Sequence, residues 1–368
     1  MRGSYLLAEG ASYRELLLAP LGTAAGPLYP VLHWLAAPLI GFDAPAIRWL
    51  NPVLLGGAIL SIRYAVAAWG HAGSWARSLM ILGVPIVWVT TGMALTEIPA
   101  MAFVSFSVAA TAWAMTATSG SHARVWAGFI MAGVCFGIAT LGRQPYFPAA
   151  GAFAVIAIFK PDVRWPAVAA FLLAWAVPAP VFLLWGGFVE PDQRFVGGVD
   201  FAHGALAFCY LSILYLILAP GFFAAQWKWS LGAAIVGGIA VSSVGGLHFP
   251  VAAGITRTFP PMLALLFQAG ISAALVGGAL ALTSATAINL WLKRDDSLFV
   301  LFMLLTIGLT ATAAANVFQF SSRYLMTAFP FALLAIQPYF QPNQYAAVRL
   351  VVGATVGGLS LVGYYAFI

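Results

Sequence analysis

Apolar residues follow one another in long runs that only a few charged residues interrupt. A helix needs about 20 apolar residues to cross the hydrocarbon core of a bilayer. By that measure the runs predict twelve spans, at residues 48–68, 78–95, 97–117, 125–141, 145–160, 165–187, 205–225, 229–248, 261–289, 298–317, 323–338 and 346–368. The connections are short, so the pattern predicts an all-α polytopic protein whose residues 48–368 form one transmembrane helical bundle.

Residues 1–47 have a different pattern. Their apolar stretches, ELLLAP and PLYPVLHWLAAPLIG, are shorter than a span. Charged residues and prolines interrupt them, and three residues suited to headgroup depth occur in the second stretch: Tyr29, His33 and Trp34. Such segments lie in the membrane interface rather than cross it. We therefore expect interfacial amphipathic helices over residues 1–47, which act as a surface cap or contact a substrate.

Composition agrees with a lipid environment. The chain is 62% hydrophobic and 7% charged, which is far more apolar surface than a soluble fold can bury. The two cysteines, Cys135 and Cys209, lie in apolar runs and are interpreted as small buried hydrophobic residues. The histidines lack metal-ligand spacing, so we expect neither a metal site nor a disulfide framework. Nothing in the composition indicates a nucleic-acid partner.

The distribution of charge predicts an orientation. Alternate connections carry nine of the sixteen basic residues against three acids, and the other set carries seven basic residues against seven acids. The first set is predicted to be cytoplasmic by the positive-inside rule. With twelve spans, both termini would then lie on the outer side. Either a further span precedes Met1, or the weakly charged tail crosses the membrane unaided.

Three sites on the predicted outer side combine charge with apolar surroundings. Glu97, in VTTGMALTEIPAMAF, lies where one span ends and the next begins. An acid at that depth indicates function, because it needs a cavity or a partner. The alternative is an N-terminal carboxylate that stabilises the helix beginning near Pro99.

Arg143, in GIATLGRQPYFPAAG, and the pair Arg323 and Tyr324, in NVFQFSSRYLMTAFPF, are the other two sites. Singly, each arginine could be an anchor that extends to the interface. Together with Glu97 they indicate capture of an anionic headgroup, because guanidinium groups suit phosphate oxygens and a carboxylate can orient or deprotonate a hydroxyl.

Several segments carry a family resemblance: SYLLAEGASYRELLL, GPLYPVLHWLAAPLIG, MALTEIPAMAFVSFSVA, GVCFGIATLGRQPY and SSRYLMTAFPFALLA. In this order they resemble integral-membrane GT-C glycosyltransferases, in particular bacterial members akin to the aminoarabinose lipid A transferases and the protein O-mannosyltransferases. The resemblance implies an inverting enzyme that moves a sugar from a polyprenyl-phosphate carrier to an outer-face acceptor. It also implies a location in the bacterial inner membrane.

The resemblance implies roles for individual residues. Glu97 matches an acidic position that lines the active cavity, Arg143 matches a basic position with Gly142 in place of the usual Thr, and Arg323 and Tyr324 match an Arg-Tyr segment. Family members carry a catalytic acid a few positions before a Tyr like Tyr5. Here Met1 and Arg2 occupy those positions, so the leading helix and its acid are expected to be missing, unless they lie upstream.

Three hypotheses follow. The first is an active transferase whose acid lies upstream, or in which Glu9 or Glu97 takes over that role, with a lipid-linked sugar donor and no other cofactor. The second is a catalytically inactive scaffold, a pseudoenzyme that binds lipid or other membrane subunits. The third, a secondary transporter, is supported only by the number of spans.

Overall fold

The computed structural model describes residues 2–19, 26–43, 48–70, 75–93, 95–117, 121–190, 198–224, 226–243, 256, 259–315 and 321–366. These residues form helices and connections without a strand. This confirms the all-α class that the apolar runs predict. Parts of the sequence motifs, including Gln319, lie outside the described residues.

Three short helices precede the bundle. They are α1 (Arg2–Ala8), α2 (Tyr13–Leu18) and α3 (Leu28–Ile40). Helix α2 begins with a capping box, in which Ser12 and Glu15 satisfy one another's backbone N–H groups. Helix α1 packs on α3, and α3 contacts two helices of the bundle. None of the three reaches spanning length, as expected for interfacial helices.

The remaining helices follow in chain order. The first half contains α4 (Leu50–Ala68), α5 (Trp75–Leu79), α6 (Pro85–Gly92), α7 (Glu97–Met115), α8 (His122–Gly142), α9 (Tyr146–Ala149), α10 (Gly151–Phe159), α11 (Arg164–Ala176) and α12 (Ala179–Trp185). The second half contains α13 (Phe201–Leu218), α14 (Gly221–Ala224), α15 (Trp227–Ser243), α16 (Pro261–Leu292), α17 (Ser297–Ala311), α18 (Phe329–Ala335) and α19 (Gln344–Ala366). Short 3₁₀ segments occur at Met80–Gly83, Pro161–Val163, Thr312–Ala315, Ser322–Thr327 and Gln337–Tyr339.

Within the described part of the chain, eight helical segments are long and apolar enough to cross a membrane. They are Leu50–Ala68, Glu97–Met115, His122–Gly142, Pro161–Trp185, Phe201–Leu218, Pro261–Leu292, Ser297–Ala315 and Gln344–Gly363. Trp75–Gly83 and Pro85–Gly92 form a pair bent by 74°, which raises the number to nine if the pair is one span. The helical segments at the other predicted spans are shorter, so the polytopic membrane fold is confirmed and the count of twelve remains a prediction.

Helix α7 lies at the centre of the bundle. It packs between α4 and α8 and also contacts the 3₁₀ segment Ser322–Thr327. Of its spanning window 72% is buried, against 17% for α16 and for α19, which lie at the periphery. Glu97, at the start of α7, is accordingly held inside the protein rather than against lipid.

Small residues allow close helix packing at the periphery. Helices α15 and α16 pair through glycines, and a Cβ on Gly277 would lie 2.6 Å from Ala234 O. Gly277, in the LVGGALAL segment, thus lies at a close helix contact of the kind that small residues allow in membranes.

Two of the three residues predicted at headgroup depth are buried within the protein. Tyr29 and His33 on α3 have exposed fractions of 7% and 0%, and their ring centroids lie 4.8 Å apart. Trp34 on the same helix is 42% exposed. Helix α3 contacts α7 and α8. The depth of the three residues in a membrane stays a prediction.

Candidate functional site

Glu97 is the first residue of α7, and it is almost completely buried. Thr96 is the N-cap residue, so the helix begins at Glu97, where the predicted span 97–117 begins, and two residues before the start near Pro99 that the alternative interpretation assumed. A carboxylate in the first turn interacts favourably with the helix dipole. The Glu97 carboxylate has a further role, because it is also paired with side chains from two other elements.

Both predicted arginines approach the same carboxylate oxygen. Arg143 Nη2 donates a hydrogen bond to Glu97 Oε1, and Arg323 Nε lies 3.5 Å from that atom. The Arg143 side chain is 13% exposed and that of Arg323 is 39% exposed. The structure thus joins three of the predicted site residues, from widely separated parts of the sequence, in one cluster: Glu97, Arg143 and Arg323.

The polypeptide between α8 and α9 places Arg143. Helix α8 ends at Gly142, and Arg143 follows in extended conformation. A Cβ on Gly142 would lie 2.8 Å from Leu28 Cδ2 and 3.0 Å from Ala100 Cβ. Residue 142 must therefore be small for α8 to end against both α7 and α3. This gives a structural reason for Gly142.

The connection before Glu97 is also held from another helix. Asn51, which is fully buried at the start of α4, donates hydrogen bonds from Nδ2 to Leu95 O at 3.0 Å and to Thr90 O at 3.4 Å. The two carbonyls lie on either side of the turn that leads into α7. Asn51 therefore ties the end of α6 to the start of α7. Asn51 is not among the predicted site residues, although an amide inside an apolar span is a recognisable signal.

The cluster carries two cations and one anion, so its formal charge is +1. Burial lowers the pKa of Arg143 to about 10, and the positive charge of Arg323 contributes further in the same direction. Arg143 is still a cation at neutral pH. The unbalanced charge makes the cluster a suitable site for an anion.

Several buried polar atoms of the cluster make no hydrogen bond with the described residues. They are Oε2 of Glu97, Nε of Arg143, Nε of Arg323 and the hydroxyl of Tyr146. Tyr146 follows Arg143 by three residues, and its backbone N–H donates to Arg143 O. Buried polar atoms usually have partners, so atoms of this kind are typical of a ligand site. Tyr146 is not among the site residues predicted from the sequence, although it lies in the same GRQPY segment as Arg143.

The other predicted site residues have different positions. Tyr324 lies beside the cluster, with its ring centroid 5.9 Å from Arg323 Cζ. Tyr5 is on α1, where its hydroxyl donates to Phe42 O at 3.4 Å. Glu9 follows α1 and is exposed. Among the described contacts, neither Tyr5 nor Glu9 forms a hydrogen bond or an ion pair with Glu97, Arg143 or Arg323.

An apolar groove begins near the cluster and runs along the bundle. It has a volume of about 810 Å³ and lies between α9–α10 and α17. Pro145, two residues after Arg143, lines one end of the groove. Lys160, which follows α10, and Arg294 and Asp295, which precede α17, line the other end. The groove therefore extends over the length of α17 and offers space for an extended apolar chain.

Among the residues that the structure describes, no group of three histidines, cysteines or acids could hold a metal ion.

Comparison with known proteins gives one structural similarity. No protein-family model matches the sequence, and no curated protein is significantly similar to it. Among solved structures, the chain is similar to the crystal structure of ArnT from Cupriavidus metallidurans bound to undecaprenyl phosphate. The identity is 15%, over 99% of this chain and 72% of that chain, with a TM-score of 0.44. At this level the similarity assigns no substrate and no site residue to the chain.

Proposed function

We propose that the protein is a GT-C-like membrane glycosyltransferase that takes a sugar from a polyprenyl-phosphate donor and places it on an acceptor at the outer face of a bacterial inner membrane. The observation that carries this proposal is the buried carboxylate of Glu97 shared by Arg143 and Arg323. It leaves one net positive charge near an apolar groove. That combination suits a ligand with an anionic head and a long apolar chain.

The two parts of the site match the two parts of such a donor. The guanidinium groups of Arg143 and Arg323 would bind the phosphate, since each offers N–H donors in a planar fork. Glu97 would fix the position of both groups. The groove between α10 and α17 would hold part of the isoprenoid chain. Tyr324 and Tyr5 remain candidates for contact with the sugar or the acceptor.

The transfer itself needs a base. In an inverting reaction the acceptor oxygen attacks the anomeric carbon, the bond from that carbon to the phosphate oxygen breaks, and polyprenyl phosphate leaves. The acceptor proton passes to a carboxylate. Glu97 is poorly suited to accept it, because both arginines stabilise its ionised form. Glu9 is the other candidate, and it would have to approach the cluster when substrate binds.

The pairing of Glu97 also favours the alternative function. A protein whose buried acid is engaged by two arginines could retain the lipid-phosphate site and lack transfer activity. It would then be a catalytically inactive, lipid-binding subunit of a larger membrane complex. Both alternatives require the same lipid to bind, and they differ only in turnover.

Binding is tested first. The protein in neutral detergent is titrated with undecaprenyl phosphate and followed by native mass spectrometry, for the wild type, Arg143→Gln and Arg323→Gln. We expect at least a tenfold loss of affinity in each variant. Arg124→Gln is the matched control, because Arg124 donates to Trp113 O at the opposite end of α8. Equal binding by all four proteins would contradict both functions.

Turnover then separates the alternatives. A polyprenyl-phosphate-linked sugar is incubated with the protein in membrane vesicles that contain candidate lipid acceptors, and release of polyprenyl phosphate is measured. Release that Glu9→Gln abolishes, with binding retained, supports the transferase and identifies its base. Binding with no release from any acceptor supports the inactive subunit.

A further inference from the structure

A second group of arginines lies far from the Glu97 cluster, near the end of α4. Asn51 at the start of α4 contacts the turn before Glu97, and Arg63 lies twelve residues further along the same helix. At 1.5 Å per residue this is about 18 Å toward the other end of the bundle. The positive-inside rule assigns that end to the cytoplasmic leaflet. This group is therefore separate from the site proposed above.

Arg63 and Arg77 are linked to this region by specific contacts. Arg63 Cζ lies 3.8 Å from the ring centroid of Trp75, at the start of α5. Arg77, one half-turn later, donates from Nη1 to Gln337 O at 2.5 Å. Gln337 in turn donates from Nε2 to Leu333 O at 2.9 Å. The two arginines and their partners thus connect α4, α5 and the 3₁₀ segment Gln337–Tyr339. We name this region the Arg63–Arg77 patch.

Several donors in this region are buried and make no hydrogen bond with the described residues. They are Nη1 of Arg63, Nε of Arg77 and Nε1 of Trp69. Each is a donor only, since neither a guanidinium nor an indole N–H can accept. One acceptor, Oε1 of Gln337, is also buried without a donor. The patch therefore suits a ligand with several acceptor oxygens and one hydroxyl.

Within the described part of the chain, no carboxylate balances the positive charge of the patch. Residues 48–93, which contain α4, α5 and α6, include no acidic residue, and neither do residues 321–366. Among the described residues, no acid forms an ion pair with Arg63 or Arg77. Two guanidinium groups without an internal counterion attract an anion.

Aromatic residues indicate the depth of the patch in the membrane. Trp75 is 51% exposed and Tyr64 is 42% exposed, and Trp69 ends α4 between them with its ring 5.0 Å from that of Phe302. Tryptophan and tyrosine concentrate at headgroup level. Basic pockets between helices on the cytoplasmic side bind anionic lipid headgroups.

From these observations we propose that the Arg63–Arg77 patch is a binding site for a phosphate group, supplied by the headgroup of an anionic phospholipid. The phosphate oxygens accept from Arg63, Arg77 and Trp69, and a headgroup hydroxyl donates to Gln337 Oε1. Phosphatidylglycerol has both features. The site does not depend on the proposed transferase activity, and its loss would leave polyprenyl-phosphate binding at the Glu97 cluster intact.

The test is a titration with phosphatidylglycerol, followed by native mass spectrometry of the full chain in neutral detergent. The wild type, Arg63→Gln/Arg77→Gln and the control Arg164→Gln are compared. Arg164 begins α11 on the same predicted side of the membrane as Arg63, but it is exposed and donates to Ala157 O. We expect the double variant to retain one phosphatidylglycerol fewer and to bind at least tenfold more weakly. Arg164→Gln and wild type should be equal, and phosphatidylcholine should not compete.

A parallel arm distinguishes the source of the phosphate. If inorganic phosphate raises the melting temperature of the wild type and phosphatidylglycerol does not, the site binds a soluble phosphate instead of a lipid. Equal behaviour of wild type and double variant toward both probes would overturn the proposal.

A lysine variant keeps the test decisive if the double variant does not fold. Arg63→Lys/Arg77→Lys retains the charge and loses the planar fork. A folded lysine variant should bind phosphatidylglycerol at least threefold more weakly than the wild type. Affinity equal to that of the wild type would contradict the assigned donors.

Discussion

Arg143 and Glu97 are 46 residues apart in the sequence, and they form a hydrogen-bonded ion pair inside the bundle. The pair joins the end of α8 to the start of α7. Because these helices are antiparallel neighbours, both residues lie at the same end of the bundle. Arg323, from a third element, completes the cluster and gives it an excess positive charge.

Removal of Arg143 should destabilise the protein. Arg143→Gln leaves the Glu97 carboxylate buried with only the more distant Arg323, and breaking a buried pair in this way typically costs about 3–5 kcal/mol. Thermal unfolding in detergent measures the change. The double variant Arg143→Gln/Glu97→Gln should recover part of the loss, because it no longer buries an unpaired charge. A double variant less stable than Arg143→Gln would contradict the pairing.

The two arginines should couple to Glu97 with different strengths. In double-mutant cycles with Glu97→Gln, we expect about 1–3 kcal/mol for Arg143 and below about 1 kcal/mol for Arg323. The reason is solvent screening, since the Arg323 side chain is three times as exposed and lies farther from the carboxylate. The unfolding free energies of the single and double variants give both values. The reverse order would show that Arg323 is the main partner.

Gly142→Ala should disturb the site through packing alone. The added methyl group meets Leu28 Cδ2 and Ala100 Cβ at 2.8 and 3.0 Å, so the Leu28 side chain or one of the packed helices must shift. Overpacking of this kind costs about 1–3 kcal/mol. It should also weaken binding of undecaprenyl phosphate, because Arg143 is the next residue. Gly151→Ala is the control, since a Cβ there meets no atom within 4 Å, and it should behave as the wild type in both assays.

Asn51→Leu should loosen the turn that presents Glu97. The variant loses the hydrogen bonds to Thr90 O and Leu95 O and leaves two buried carbonyls without this donor. We expect a loss of about 1–3 kcal/mol of stability. Hydrogen exchange of the amides around Leu95 should also rise. Ser360→Ala, which removes an exposed hydrogen bond within α19, should change neither quantity. Unchanged exchange in Asn51→Leu would exclude the proposed positioning.

Helix α2 should loosen in acid. Hydrogen bonds from the backbone and the side chain of Ser12 lower the pKa of Glu15 below its ordinary value. A lowered folded pKa means that the carboxylate stabilises the helix above the ordinary pKa of about 4.5, and that this stabilisation is lost as the pH falls through the lower folded pKa. Hydrogen exchange at Leu16–Leu18, corrected for intrinsic rates, should therefore rise below pH 4.5. Glu15→Gln should show no such step.

Much of the fold follows from the sequence because a bilayer leaves few alternatives. Backbone groups in lipid must be satisfied within the chain, so long apolar runs such as residues 97–115 become helices. The charge pattern similarly identified Glu97, Arg143 and Arg323, since ionised groups are costly beside apolar spans and need partners. The number of spans was less predictable, because short segments such as Tyr146–Phe159 and the bent pair at Val84 depend on their neighbours.

The amino-acid pattern is enough to predict the lipid environment, the helical class and the charged residues that require an explanation. Which of these residues meet depends on how the helices pack. Helix packing brought Arg143 and Arg323 to one oxygen of Glu97 and buried Tyr29 and His33, whereas the Tyr5 hydroxyl donates to Phe42 O and Glu9 is exposed. Local pattern sets the cost of burying a group, whereas the partner that offsets this cost comes from a distant segment that packs against it.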